Sequence, residues 1–306
     1  MEKISVLMSV YKEPIEWIKM AVDSIVKQTY KNIEIIIIVD SPDYNELIEV
    51  LREYENKHKY IRLLINQENI GLVKSLNKGL DFCTGEYIAR MDADDICEPQ
   101  RLERQMLYLK EKNYDLVGCA YSIFSGNTEI RKHFGPASHD ICKKMLRYRS
   151  CILHPAWLVR KQVYETLNGY RNFDACEDLD FLIRASLAGF KLGNVQSILM
   201  GYRDNPNSIS HLKLFRQHAI RNLITNAYKK KCEVSYESYE SYLKSEKYKK
   251  DVEQLQRINE KEHILKSSKA NKINRILMLF QLIFNRYYLN EKVENQALKI
   301  LGKLGQ

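Results

Sequence analysis

Four short apolar runs, Ile4–Val10, Ile33–Val39, Ile61–Ile65 and Tyr87–Met91, recur through the first third of the chain. Each is β-branched and too short for a buried helix, which is the pattern of strands covered on both faces. Between them, the stretches Ile15–Gln28, Tyr44–His58 and Leu72–Phe82 carry apolar residues on one face, as amphipathic helices do. This β-α-β-α order predicts an α/β fold, a mostly parallel Rossmann-like sheet flanked by helices. Open sheets of that kind bind ligands beyond the carboxyl ends of their strands, so the residues just after Val10, Val39 and Met91 are the first place to look for function.

After Pro99 a helix to about Lys112 leads to two further strand-like stretches, Leu116–Phe124 and Ile130–Phe134, which predict a mixed region of the sheet. A helix-rich portion follows. From about Leu212 the pattern shifts to long segments rich in Lys, Glu and Tyr, with no Gly or Pro until Gly302. A boundary near residue 211 is expected, separating a catalytic domain (1–210) from a basic helical extension (211–306). The net charge of +9 follows the same division: from His211 onward there are 20 Lys and Arg against 10 Asp and Glu, leaving 28 against 29 before it. Such an extension suits an anionic membrane surface. Nucleic acid is the weaker partner, because a nucleic-acid binder should spread basic and aromatic residues over the folded part as well.

No run approaches the roughly 18 apolar residues needed to cross a bilayer. The segment Ile276–Phe284, flanked by Lys272, Arg275 and Arg286, reads as an interfacial helix or a seam between copies of the chain. The amino terminus lacks a basic region followed by a cleavage site. Seven scattered cysteines show no Cys-x-x-Cys pair and are expected to be reduced thiols. Together these features predict a cytoplasmic protein, peripheral on the inner face of the membrane.

The strand ends carry chemistry. Neither the Gly-x-Gly-x-x-Gly turn of a dinucleotide site nor a P-loop is present. The first strand ends in Ser9-Val10-Tyr11-Lys12-Glu13-Pro14 and the second in Val39-Asp40-Ser41-Pro42-Asp43. An Asp there can accept a hydrogen bond from a ring N–H, and an aromatic such as Tyr11 can stack on a base. Asp40 is equally an ordinary turn former. The run Arg90-Met91-Asp92-Ala93-Asp94-Asp95 places three carboxylates directly after a buried strand, where their repulsion is costly unless a cation sits among them. Mn²⁺ or Mg²⁺ prefers such hard oxygen ligands. Alternation puts Asp92 and Asp94 on the same side of an extended chain.

In order and spacing, VLMSVYKEP, VDSPD, NIGLVKSLNKGL, YIARMDADDICEPQRLERQ and CEDLDFLIRASLAGF make residues 3–210 resemble family 2 glycosyltransferases of the GT-A fold. The resemblance implies inverting transfer of a sugar from a nucleotide-sugar donor, a UDP-sugar in this reading, to a glycan or lipid-linked acceptor. It implies a donor site of Ser9, Tyr11, Glu13, Asp40, Asn69, Lys74, Asn77, Arg90 and Asp92. Asp94, with Asp92, would hold the metal. The pair Glu177-Asp178 would supply the base, with Asp178 the choice, while Asp180 fits the first turn of a helix, where acids favour the macrodipole. His154 and Trp157 fall on the acceptor side; by residue type alone, His154 before Pro155 is more often a structural donor, and Trp157 with Tyr170 is either a wall for a sugar to stack on or, more often, plain core. Arg101 is expected to clamp the acidic loop.

The chain departs from the family pattern at Lys12, where Asn is usual, in the shortened Asp40-Ser41-Pro42 turn, and at Asn205, where many relatives have His. The function expected is sugar transfer in the assembly of a surface polysaccharide, lipopolysaccharide or glycolipid. The alternatives are a sugar nucleotidyltransferase, disfavoured because Ser9–Pro14 lacks the glycines its phosphate loop requires, and a non-catalytic nucleotide- or nucleic-acid-binding protein, disfavoured because the basic excess avoids residues 1–210.

Overall fold

A computed structural model of the protein describes residues 1–266 and 296. The segment Ile276–Phe284 and its basic flanks lie outside the described residues. The strands are β1 (Ile4–Val10), β2 (Ile33–Val39), β3 (Ile61–Ile65), β4 (Tyr87–Asp92), β5 (Ile96–Cys97), β6 (Leu116–Ser125), β7 (Thr128–His133), β8 (Leu158–Arg160) and β9 (Leu192–Arg203). They form one sheet in the order β3-β2-β1-β4-β8-β6-β9-β5, with β7 paired to β6. The first four are parallel neighbours, whereas β8 runs antiparallel to both β4 and β6.

The helices are α1 (Ile15–Val26), α2 (Asn45–Lys57), α3 (Leu72–Leu80), α4 (Arg101–Glu111), α5 (His139–Met145), α6 (Lys161–Leu167), α7 (Glu177–Leu187), α8 (Ile209–Leu212), α9 (Leu214–Lys229), α10 (Tyr236–Leu243) and α11 (Glu246–Lys266). The expected α/β architecture is therefore present, and the strand and helix positions read from the apolar runs agree with it. Helix α1 ends at Val26, short of Gln28, whose side chain turns inward, donating to the carbonyls of Ser24 and Glu98 and accepting from the N–H of Leu102.

Strand alternation divides the interior into two layers. Ile4, Val6, Met8 and Val10 of β1 pack with Ile33, Ile35, Ile37 and Val39 of β2 in one core, while Leu7, Ile36 and Ile38 face the other. Full burial of each such side chain contributes about 1.5–3 kcal/mol. On the second face α3 comes close to the sheet at Gly79, where an added Cβ would lie 2.4 Å from Leu7 Cδ1 and 2.5 Å from Ile38 Cδ1.

The boundary expected near residue 211 does not mark the end of this core. Ile220, Ile224 and Tyr228 of α9 are buried in the same cluster as Phe181 and Leu182 of α7, together with Tyr239 of α10. Six of the seven cysteines are buried, Cys232 is exposed, and all seven are free thiols. Among the described residues no helix is long and apolar enough to cross a membrane.

At the amino-terminal end of the sheet, Glu34 ties three segments together. It accepts hydrogen bonds from the Ser5 hydroxyl at 2.5 Å and the Thr84 N–H at 2.6 Å, and it pairs with Lys3 at 2.6 Å. Burial works to raise its pKa, but the Lys3 ammonium and the Ser5 and Thr84 hydrogen bonds outweigh that and hold it at about 2. Because the folded value is depressed, this stabilisation is full above the ordinary pKa of 4.5 and is lost as pH falls through about 2. Glu34→Ala should cost roughly 1–3 kcal/mol near neutral pH, since buried donors lose their acceptor. Urea unfolding should show that difference shrinking steadily as the pH is lowered through the same window.

Candidate active site

In-register parallel pairing decides which residues meet. Val10 lies opposite Val39 and Ser9 opposite Asp92, so the residues that follow β1, β2 and β4 emerge side by side at the carboxyl edge. They open into a cavity of about 680 Å³ whose walls include Ser9, Tyr11, Glu13, Asp40, Asn69, Asp92, Asp94, His154, Glu177 and Asp178. The structure thus gathers the expected base, donor-side and metal residues, with a few exceptions, around one space.

Asp40 is held in a cradle. Its Oδ1 accepts from Asn66 Nδ2 at 2.8 Å and from the Ile70 N–H at 2.9 Å, and its Oδ2 accepts from the Gly71 N–H at 2.8 Å. Gly71 reaches that position with φ +83° and ψ 161°, a backbone region essentially confined to glycine. A carboxylate fixed in this way keeps acceptor capacity on Oδ2 that can face the cavity. Asn69 stands on the wall and accepts from the same Gly71 N–H at 3.0 Å. Tyr11 is 41% exposed, and its N–H is capped by Glu13 at 2.8 Å.

The acidic loop is the most strongly charged part of the wall. One carboxylate oxygen from each of Asp92, Asp94 and Asp95 can be found within 4.8 Å of the others. Asp92 Oδ1 pairs at 2.5 Å with the fully buried Arg90, whose guanidinium also donates to the carbonyls of Leu7 and Met91. Asp95 Oδ1 accepts from the Arg203 N–H at 2.9 Å, but its buried Oδ2 has no partner among the described residues. Burial first, and then the charge of Asp92, raise the pKa of Asp94. Asp95 is pushed well above the carboxylate range by burial and by both neighbours. Hard oxygen donors, mutual repulsion and an orphaned buried oxygen fit a divalent cation here. Asn205 does not present its oxygen to this group. Its Oδ1 accepts from the Asn207 N–H at 2.9 Å and its Nδ2 faces Asp94 Oδ2 at 3.2 Å, so it orients the aspartate as a hydrogen-bond donor.

Glu177 and Asp178 open α7 on the opposite wall. Glu177 is buried, and desolvation followed by repulsion from Asp178 pushes its pKa up to about 8. Asp178 is half-buried and is raised to about 6, chiefly by desolvation, with hydrogen bonds from backbone N–H groups and Ser150 opposing the rise. Asp180 stands in the first turn of α7, as expected, and is also the centre of an ion triad. It pairs with Arg171 and, at 2.8 Å, with Arg184.

Five expected residues lie away from the cavity wall. Arg90 supports Asp92 from beneath. Lys74 is exposed on α3, and Asn77 is a strut whose amide donates to the Tyr170 carbonyl at 2.8 Å and accepts from the Tyr170 N–H at 2.9 Å. Trp157 and Tyr170 are core side chains packed on Phe181, so neither forms a sugar-stacking wall. His154 does reach the cavity, and its Nε2 is bonded to the Tyr170 hydroxyl at 2.9 Å. Arg101 is a clamp, as expected, but on the carbonyls of Arg90 and Pro155 rather than on the acids. Sequence reading missed Asn66, which follows β3 as Asp40 follows β2 and was open to the same strand-end reasoning. It also missed Tyr121, Arg149, Tyr202 and Arg221, which line the cavity from segments far apart in the chain.

Comparison with known proteins identifies the family and the fold. Glycosyl transferase family 2 matches residues 5–167. An uncharacterized glycosyltransferase of Methanocaldococcus jannaschii is 31% identical over 74% of this chain and 80% of its own length. The O-antigen biosynthesis glycosyltransferase WbnJ of Escherichia coli is 31% identical over 66% of this chain and 80% of its own. Among solved structures, S. aureus TarS residues 1–349 in complex with UDP-GlcNAc superimposes with a TM-score of 0.57 at 17% identity, covering 72% of this chain and 66% of that one. The mannosyltransferase PcManGT from Pyrobaculum calidifontis, in complex with GDP-Man and Mn²⁺, gives 0.59 at 14% identity over 98% of this chain and 85% of that one. The chain belongs to glycosyl transferase family 2, has the GT-A fold, and is a glycosyltransferase.

If the acidic loop holds a divalent ion, millimolar Mn²⁺ should raise the melting temperature, because a ligand that binds only the folded state stabilises it. Asp94→Asn should abolish that rise in a thermal-shift titration. An equal rise in the variant would remove Asp94 from the ligand set.

Proposed function

We propose that this glycosyltransferase moves a hexose or N-acetylhexosamine, with inversion, from a UDP-sugar to a hydroxyl of a glycan or lipid-linked acceptor in surface polysaccharide, lipopolysaccharide or glycolipid assembly. The observation that carries this reading is that Asp40, the Asp92/Asp94 pair and Asp178 all face one cavity. Their chemistries are those such a transfer needs: an acceptor for a base N–H, oxygen ligands for a cation beside a diphosphate, and a carboxylate to take a proton. The named role of WbnJ in O-antigen biosynthesis and the UDP-GlcNAc bound to TarS support the acceptor class and the nucleotide. The Mn²⁺ bound to PcManGT supports the metal.

Tyr11 would lie against the uracil and Asp40 would accept its N–H, with Ser9, Glu13 and Asn69 completing the donor wall. Mn²⁺ or Mg²⁺ held by Asp94 and Asp92 would supply positive charge to the diphosphate as it departs. Asp178 takes the proton of the acceptor hydroxyl while that oxygen attacks the anomeric carbon. The bond from that carbon to the diphosphate breaks on the opposite face, and UDP leaves with the electron pair. Asp178 suits the base better than Glu177, because a group with pKa about 6 is ionised at neutral pH whereas one near 8 is mostly protonated. His154 lies on the acceptor side. The basic composition of residues 211–306 supports a peripheral position at the cytoplasmic membrane face.

Calorimetry should show UDP binding that requires Mn²⁺, disappears with EDTA and is lost in Asp94→Ala. Asp178→Asn should bind UDP within about twofold of the unaltered protein yet lose on the order of 10²–10⁴ in kcat. Full turnover in that variant would assign the base elsewhere. For the unaltered enzyme, kcat should fall about tenfold per pH unit below about 6, as the raised Asp178 carboxyl takes up its proton.

A further inference from the structure

Away from the acids the cavity wall becomes aromatic and then cationic. Tyr202 on β9 stands beside the acidic loop, where burial and then Asp95, Asp92 and Asp94 raise the pKa of its phenol. The ring of Tyr121 on β6 lies 6.0 Å from that of Tyr202. After burial, its surroundings are Arg149 and Arg131 on one hand and Asp95 on the other. His133 on β7 stacks on Tyr121 at 4.9 Å with the ring planes 20° apart. Burial, Arg149 and Arg131 all lower its pKa.

Arg149 lines the cavity, and neither it nor the exposed Arg131 forms a side-chain ion pair among the described residues. The buried Nδ1 of His133 likewise has no partner among them. Two cations near one stacked pair of rings, Arg149 on the cavity wall and Arg131 outside it, with no carboxylate in ion-pair contact with either among the described residues, form a receptor for an anion attached to a ring-shaped body. Arg is suited to this because its planar fork can grip phosphate or carboxylate with two parallel hydrogen bonds.

We propose that the acceptor is an acidic glycan: one sugar lies against Tyr121 and His133, and its phosphate or carboxylate is bound by Arg149 with Arg131 adding charge. This rests on the sugar-transfer reading above and adds the chemical class of the acceptor. The anion can come from a phosphate ester, as in a lipid-linked glycan, or from an acidic sugar, and the arms of the test separate the two.

The full chain, saturated with UDP and Mn²⁺, would be titrated by calorimetry with octyl glucoside, octyl glucosyl phosphate and octyl glucuronide. At least one charged probe should bind about tenfold or more tightly than the neutral one, as expected for a charge-assisted hydrogen-bond pair. Preference for the phosphate identifies an esterified phosphate, and preference for the glucuronide identifies an acidic sugar. Arg149→Gln should erase the preference and Arg131→Gln should reduce it, while UDP affinity and melting temperature stay unchanged as evidence of an intact fold. Normal UDP binding with equal affinity for charged and neutral probes would overturn this inference alone, leaving the two arginines as solvated surface charges. Failure of the unaltered protein to bind UDP would overturn the proposed function, and the acceptor assignment with it.

Discussion

Arg90 and Arg101 are both without solvent exposure, and a guanidinium out of water is tolerable only where acceptors meet its donors. Arg90 reaches the carbonyls of Leu7 and Met91 and ends on Asp92. Arg101 comes from α4 to hold the carbonyls of Arg90 and Pro155. This pair fixes the end of β4, sets the orientation of Asp92, and ties both to the turn that carries His154. Without the positive charge beneath them, three neighbouring carboxylates at the edge of a hydrophobic sheet would repel one another in a poorly solvated place.

How legible the molecule was from its sequence depended on how local each signal is. The β-branched runs and the amphipathic stretches between them are contained within ten or so residues, and the strands and helices formed where they point. Asp40, Asp92 and Asp94 could be found because strand ends have a known place in such sheets. Asn77 could not be assigned its strut role, because its partner Tyr170 lies far along the chain and only packing brings the two together. Trp157 and Tyr170 have the residue types of a sugar platform, and nothing local distinguishes that use from core packing. Asp180 looked like a helix-dipole residue because Arg171 becomes its partner only once α7 folds against the preceding loop, whereas Arg184, four residues on in the same helix, was a local partner open to sequence reading.

The same limit explains the aromatic row. Tyr121, His133 and Tyr202 belong to β6, β7 and β9, and it is the pairing of β6 with both of the others that lines up their rings. Read singly, each is an unremarkable residue in a strand. The abundance of Lys, Glu and Tyr after residue 211 similarly hid Ala219, Ile220, Ile224, Thr225 and Tyr228, which are the buried side of α9.

That buried side changes what the last third of the chain is. Gln217 of α9 donates to the Ala175 carbonyl just before α7, Gln217 and Arg221 stand in the cavity wall, and Arg171 reaches Glu233 at 3.4 Å. A recombinant joined to a relative at residue 211 would therefore not exchange a handle for a handle. It would splice two halves of one pocket, because α9 supplies part of the cavity wall and of the core behind it.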